Sequence, residues 1–155
     1  MYKNILVPHA GTSGGDEALK HAIHIAKSNS SKIIILHVIE DMPHVPILLH
    51  SSQKASIRKQ LGEITRTMMD HMEDEMSKKT KLCEKEGISS HVKIASGDAF
   101  DAILKIEQNQ KIDLIVMAKR RKLKGIKSLL KLGSVSRKVL ENVSCPILMV
   151  DIEKK

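Results

Sequence analysis

The chain predicts an α/β fold, a doubly wound five-stranded parallel sheet flanked by helices, and three observations lead there. Short apolar runs rich in β-branched residues alternate with longer stretches of helical period, the pattern of βαβ units. A length of 155 residues with 41% hydrophobic content suits one compact domain, so residues 1–155 read as a single domain. No stretch approaches the roughly 20 apolar residues of a membrane span, and Pro8 stops the opening Ile5-Leu6-Val7 too early for a signal peptide. A cytoplasmic chain with no membrane span is the expectation.

The first strand, residues 5–7, ends at Pro8 and Gly11. A helix begins after Ser13, whose hydroxyl caps the turn, with Asp16 as its capping-box partner. Its inner stripe is Ala18, Leu19, Ala22, Ile23 and Ala26, spaced at the helical period. The second strand, residues 32–39, contains Ile33-Ile34-Ile35-Leu36, an unbroken apolar run suited to a strand covered on both faces. Pro43 and Pro46 mark residues 41–52 as a loop.

A long helix follows. Ile57, Leu61, Ile64, Met68, Met72 and Met76 recur every three or four residues, while Arg58, Lys59, Glu63, Arg66, Glu73 and Glu75 lie away from that stripe. The methionines read as core filling rather than as an adaptable binding surface. Gly87 closes the helix as its C-terminal cap. Residues 91–95 form the third strand, Ser96-Gly97-Asp98 a turn, and a helix runs to about Gln108. Residues 113–117 are the fourth strand. A helix at residues 134–142 leads into the last strand, residues 146–150, with Pro146 at its start, where a missing donor costs little.

Charge is distributed unevenly along this framework. Between Asp113 and Glu141 there is no acidic residue, yet nine of the 26 basic ones lie there: Lys119, Arg120, Arg121, Lys122, Lys124, Lys127, Lys131, Arg137 and Lys138. The net charge of +8 therefore resides in this stretch and the remainder is close to neutral. Tyr2 and Phe100 are the whole aromatic inventory. Without stacking platforms no specific nucleic-acid binding is predicted, although a salt-sensitive contact with a polyanion or an anionic membrane stays open as an alternative.

Doubly wound sheets bind ligands at the carboxyl ends of their strands, where strand order reverses. That rule gathers residues 8–11, 38–40 and 117–136. Within them Gly133-Ser134 opens a helix, leaving the next backbone N–H groups without intrahelical partners, which is a ready phosphate site. The plainer reading is an ordinary turn glycine and N-cap serine.

Five segments, KNILVPHAGT, IIILHVIE, ASGDAFDAI, DLIVMA and LGSVSRKVLENVSCPILMV, together resemble the universal stress protein family, the last being the most specific. The resemblance spans nearly the whole chain. It implies a Rossmann-like doubly wound sheet, a homodimer joined through the C-terminal strand, and, in one branch of the family, an ATP site. Another branch binds no ATP. By that likeness Pro8, Ala10, Val38, Met117, Ala118, Gly133, Ser134, Val135 and Ser136 are the candidate nucleotide contacts. Arg120, Arg121 and Lys122 join them as cations able to hold phosphate by charge.

The motif departs from the ATP-binding branch in two places. That branch resembles G-x-x-G, nine residues, then G-S or G-T, with glycines that let the backbone approach phosphate. Nine-residue spacing here puts Arg120 and Leu123 at the glycines, and counting from the strand end gives Ala118 and Arg121. The first loop reads His9-Ala10-Gly11-Thr12 where the branch has V-D-G-S, so Ala10 offers no acceptor to a ribose or base. ATP or another adenine nucleotide is thus a candidate cofactor whose glycine motif and N-terminal aspartate are missing.

Other constellations read as structural. His21 with His24, and Asp70, His71, Asp74 and Glu75, have helical spacing but belong to no HExxH or Cys/His set. Cys83 and Cys145 share no metal or redox spacing and read as reduced thiols, and His37 belongs to the core sheet. No nucleophile elbow or P-loop appears. The expected function is a non-enzymatic stress-response module acting as a dimer, with a strand-end cleft for a nucleotide or other phosphate anion. The alternatives are an ATP-binding switch or slow ATPase, and a basic adaptor for nucleic acid or membrane.

Overall fold

A computed structural model describes residues 1–40, 51–119 and 133–151. Along the chain lie β1 (Asn4–Pro8), α1 (Ser13–Asn29), β2 (Lys32–Ile39), α2 (Ser51–Lys85), β3 (Ser90–Ser96), α3 (Ala99–Asn109), β4 (Leu114–Lys119), α4 (Ser134–Asn142) and β5 (Ile147–Asp151). The strands form one sheet in the order β3-β2-β1-β4-β5, every neighbouring pair parallel. Ile5 lies opposite Ile33 of β2 and Leu114 of β4. The expected α/β architecture is the one found.

Alternation along the strands divides the core in two. Ile5, Val7, Ile33, Ile35, Leu114 and Val116 turn to the face covered by α1 and α2, where they meet Leu19, Ala22, Met76 and Cys83. Leu6, Ile34, Leu36, Ile115 and Met117 turn to the opposite face and meet Ile103 of α3 and Val139 of α4. Each fully buried aliphatic chain contributes about 1.5–3 kcal/mol, which is why the unbroken Ile33-Ile34-Ile35-Leu36 run forms a central strand.

Element ends have local causes. The α1 cap is Thr12, not Ser13: its backbone is extended and its hydroxyl accepts from the Gly15 N–H. Gly11, at φ 72°, turns the chain one residue earlier and leaves Ser13 inside the helix. Asp98 caps α3 by accepting from the Phe100 and Asp101 N–H groups. Gly87, at φ 71°, ends α2 with Ile88 N–H donating to the Cys83 carbonyl and Gly87 N–H to that of Glu84, a Schellman closure. The fourth strand begins one residue later than expected and continues to Lys119, because Asp113 is engaged as an acceptor for the N–H groups of Lys3 and Asn4 (2.8 Å each).

The methionine stripe needs correction. Met76 is buried and Met72 packs against the core, but Ile64 and Met68 remain 45% and 44% exposed. At about 1.5 Å per residue α2 is about 50 Å long, far longer than the strands beneath it. Only its C-terminal half has sheet to cover.

Candidate functional site

The reversal of strand order falls between β1 and β4, since α1 and α2 cross on one face and α3 and α4 on the other. In a doubly wound sheet the ligand-binding position is at the carboxyl ends of the strands flanking this reversal. Val38 at the end of β2 and Val135 in the first turn of α4 both pack, half-buried, against the cluster containing Met117. Three of the residues chosen from the sequence thus share one apolar patch. Pro8 ends β1 beside Leu36, half-buried, and Ala10 is exposed on the loop beyond it. Ala118 is half-buried on the face opposite Met117.

Above this patch α4 begins. Gly133 is its N-cap, extended at φ −66°, ψ 162°, and supplies no side-chain hydrogen bond. The first backbone N–H with an intrahelical partner is Arg137, which donates to the Gly133 carbonyl (3.1 Å). Ser134 is exposed and Ser136 buried. An end of this kind carries about half a positive charge, concentrated within one turn.

The positive charges are arranged less simply than composition implies. Lys119 pairs with Asp151 across β4 and β5 (3.2 Å), and the Lys138 ammonium lies 5.6 Å above the Phe100 ring. Arg137 is exposed. Arg120, Arg121 and Lys122, with Lys124, Lys127 and Lys131, lie outside the described residues.

Beneath the first loop is an arrangement that sequence reasoning did not find. The His9 side chain is fully buried; its Nδ1 accepts from the Gly11 N–H (3.0 Å) and its Nε2 meets Asp16 Oδ1 (3.1 Å). With Nδ1 accepting, Nε2 carries the proton and donates to the carboxylate. Asp16 is also held by Lys79 of α2 (2.6 Å). His37 Nδ1 donates to the His9 carbonyl (2.7 Å), and the His9 N–H donates to the Leu36 carbonyl (2.8 Å). Burial pushes the His9 pKa below its ordinary value, against the pull of Asp16 toward the charged form. Burial works to raise the Asp16 pKa, but hydrogen bonds from Lys79 and His9 outweigh it and hold the carboxyl below the usual range. Gly14 and Gly15, poor helix formers placed together in a first turn, were the available signal that a side chain comes close to this backbone.

A doubly wound five-stranded parallel sheet with helices on both faces defines an α/β protein of Rossmann-like architecture. The chain belongs to the Universal stress protein family, whose model matches residues 1–151. It is 30% identical over 155 residues to Universal stress protein MJ0531 of Methanocaldococcus jannaschii, covering 100% of this chain and 85% of the relative. Its fold is similar to that of a solved structure of the hypothetical protein MJ0577, with TM-score 0.81 at 24% identity over 100% of this chain and 99% of the other. A universal stress protein family member from Arabidopsis thaliana, At3g01520, solved with AMP bound, has TM-score 0.60 at 19% identity and covers 97% and 92% of the two chains. No helix among the described residues is long and apolar enough to cross a membrane.

Proposed function

We propose that this chain is a stress-response module that binds a nucleotide or other phosphate anion in its strand-end crevice and acts through that binding rather than through catalysis. The observation that carries the reading is the start of α4, a helix end capped by a glycine without a side-chain acceptor, immediately above the Val38, Met117 and Val135 patch. The N–H groups of a first turn left in this way hold anions. Buried His9 is unsuited to proton transfer because both ring nitrogens are already engaged. A relative of the same fold was solved with AMP, which supports a nucleotide as the ligand.

With Ala10 in the first loop, no carboxylate there selects a ribose or base, so the phosphates supply the recognition. Titration calorimetry with ATP, GTP, ADP and AMP at low salt tests this. ATP and GTP bind with similar affinity, and Gly133→Asp, which places an acceptor and a charge at the N-cap, weakens both at least tenfold while keeping the far-UV spectrum. Full affinity in Gly133→Asp refutes the site.

The same reading includes a homodimer through β5. This edge strand carries half-buried Ile147, Leu148 and Met149, and Leu140 on neighbouring α4 is 52% exposed; edges of this kind are normally paired or covered. Leu148→Lys then yields a lighter species in sedimentation; an unchanged mass removes β5 as the interface. A cytoplasmic location is part of the proposal, supported by two cysteines that both remain thiols.

A further inference from the structure

We infer that His9 is a pH-sensitive latch: its neutral imidazole holds the tip of the β1–α1 loop in place, and uptake of one proton releases that tip while the rest of the fold persists. The latch is the hydrogen bond that the Gly11 N–H donates to His9 Nδ1 (3.0 Å). It depends on the lone pair of that nitrogen, and a neutral imidazole has one such acceptor nitrogen. Among the described residues it is also the one hydrogen bond on the backbone of Ala10 and Gly11. The chain to either side is fixed independently. The His9 N–H donates to the Leu36 carbonyl (2.8 Å), the His9 carbonyl accepts from His37 Nδ1 (2.7 Å), and Thr12 caps α1.

Protonation puts a hydrogen on Nδ1 and turns it from acceptor to donor. Two N–H groups would then point at each other across 3.0 Å with no acceptor between them. One side has to move, and the surroundings decide which. The ring is held, because its Nε2 donates to Asp16 Oδ1 (3.1 Å), a bond that strengthens when the ring is charged. The Gly15 backbone also lies so close that a Cβ added there would be 2.7 Å from Nδ1. Gly11 is held far less firmly. A Cβ built on it would meet the Met72 methyl carbon at 3.7 Å and His37 Cε1 at 3.8 Å, both ordinary van der Waals distances, and Ala10 is exposed. The loop tip therefore gives way and the ring stays.

Among the described residues the titratable groups facing His9 are Asp16 from α1, Lys79 from α2 and His37 from β2. Burial opposes the charged ring and prevails; Asp16 favours it by hydrogen bond and charge, while Lys79 and His37 add to the opposition. The proton is taken up below the ordinary value of about 6.5, so the loop is latched at pH 7 and released in acid. His37 behaves differently, since the Nδ1–H with which it holds the His9 carbonyl is present in both its neutral and its charged form. The latch stands at the carboxyl end of β1, the position where a doubly wound sheet takes its ligand, and its operation needs no ligand.

Backbone 15N relaxation of the full chain without ligand tests the latch, with the His9 ring titrated in parallel through its Cε1 proton. At pH 7 Gly11 has the order parameter of rigid backbone, about 0.85, and on the acid side of the His9 midpoint it falls below about 0.6 while Ile5 and Ile33 are unchanged. The Gly11 amide shift titrates with the same midpoint as the ring. His9→Asn separates the acceptor from the proton: its side-chain oxygen can accept from the Gly11 N–H but does not titrate, so Gly11 stays rigid across the same range. A Gly11 that remains rigid on the acid side of the His9 midpoint overturns the inference, as does a ring that takes up its proton only when Ile5 and Ile33 unfold. Loosening of Gly11 in acid in His9→Asn, to the extent seen in wild type, overturns it equally.

Discussion

Replacing Gly15 by alanine sets helix propensity against packing. Gly15 lies in the first turn of α1, where alanine would ordinarily add up to about 1 kcal/mol. Its added Cβ, however, would be 2.7 Å from His9 Nδ1 and 2.8 Å from Cε1 and Cγ. The ring cannot move away freely, being fully buried and tied to the Gly11 N–H and to Asp16. Overpacking of this kind costs about 1–3 kcal/mol, and giving up two hydrogen bonds costs about 1 kcal/mol each. The net loss is about 2–4 kcal/mol, a fall in Tm of roughly 5 to 15 °C for a chain of this size. Urea unfolding followed by far-UV circular dichroism measures it, since the chain has no tryptophan. In H9S/G15A the ring is absent, and the double variant is more stable than the sum of the singles by about 1–3 kcal/mol. Gly15→Ala at or above wild-type stability would refute the reasoning, because propensity would then have prevailed and the ring would not be fixed.

Three further outcomes follow from the geometry. His9 has a folded pKa below its unfolded value, so the unfolded chain takes up the proton first; stability from this group is complete above about pH 6.5 and declines as pH falls from there toward the folded pKa, with a slope of at most about 1.4 kcal/mol per pH unit. His9→Asn flattens that part of a pH-resolved unfolding profile. Glu107 is buried and accepts from both the N–H and hydroxyl of Ser144 (3.3 and 2.8 Å), fastening α3 to the segment before β5; Glu107→Ala lowers unfolding free energy by about 2–3 kcal/mol in urea titration. The Cys145 thiol is pushed up to about 11 by burial, with Glu107 adding to the effect. Its alkylation by iodoacetamide at pH 8 in the folded state is about 100-fold slower than that of an ordinary thiol, because the reactive thiolate is rarer by that factor.

The sheet was readable because its evidence is local. Ile33 to Leu36 cannot satisfy one wet face, and the alternation of such runs with helical stripes leaves few topologies. Gly133-Ser134 was readable as a helix start for the same reason. The His9 arrangement was not, since it joins the end of β1 to Lys79 of α2 and His37 of β2 through contacts that no sequence spacing specifies. Periodicity likewise marked Ile64 and Met68 as one apolar flank with Met76, but which part of that flank is buried follows only from the length of the underlying sheet. The Ser13 cap failed by one residue because the positive φ of Gly11 shifts the turn.

The imidazole under the first loop also bears on the speed of binding. A loop already fixed by its own N–H, by a carboxylate and by a neighbouring helix loses little freedom when a ligand arrives. Association at the β1 side of the crevice is then a single encounter whose rate rises linearly with ligand concentration, without the plateau of a loop that must first rearrange. On the proposed reading, ligand residence rather than rearrangement of the β1–α1 loop sets how long the β1 side stays occupied.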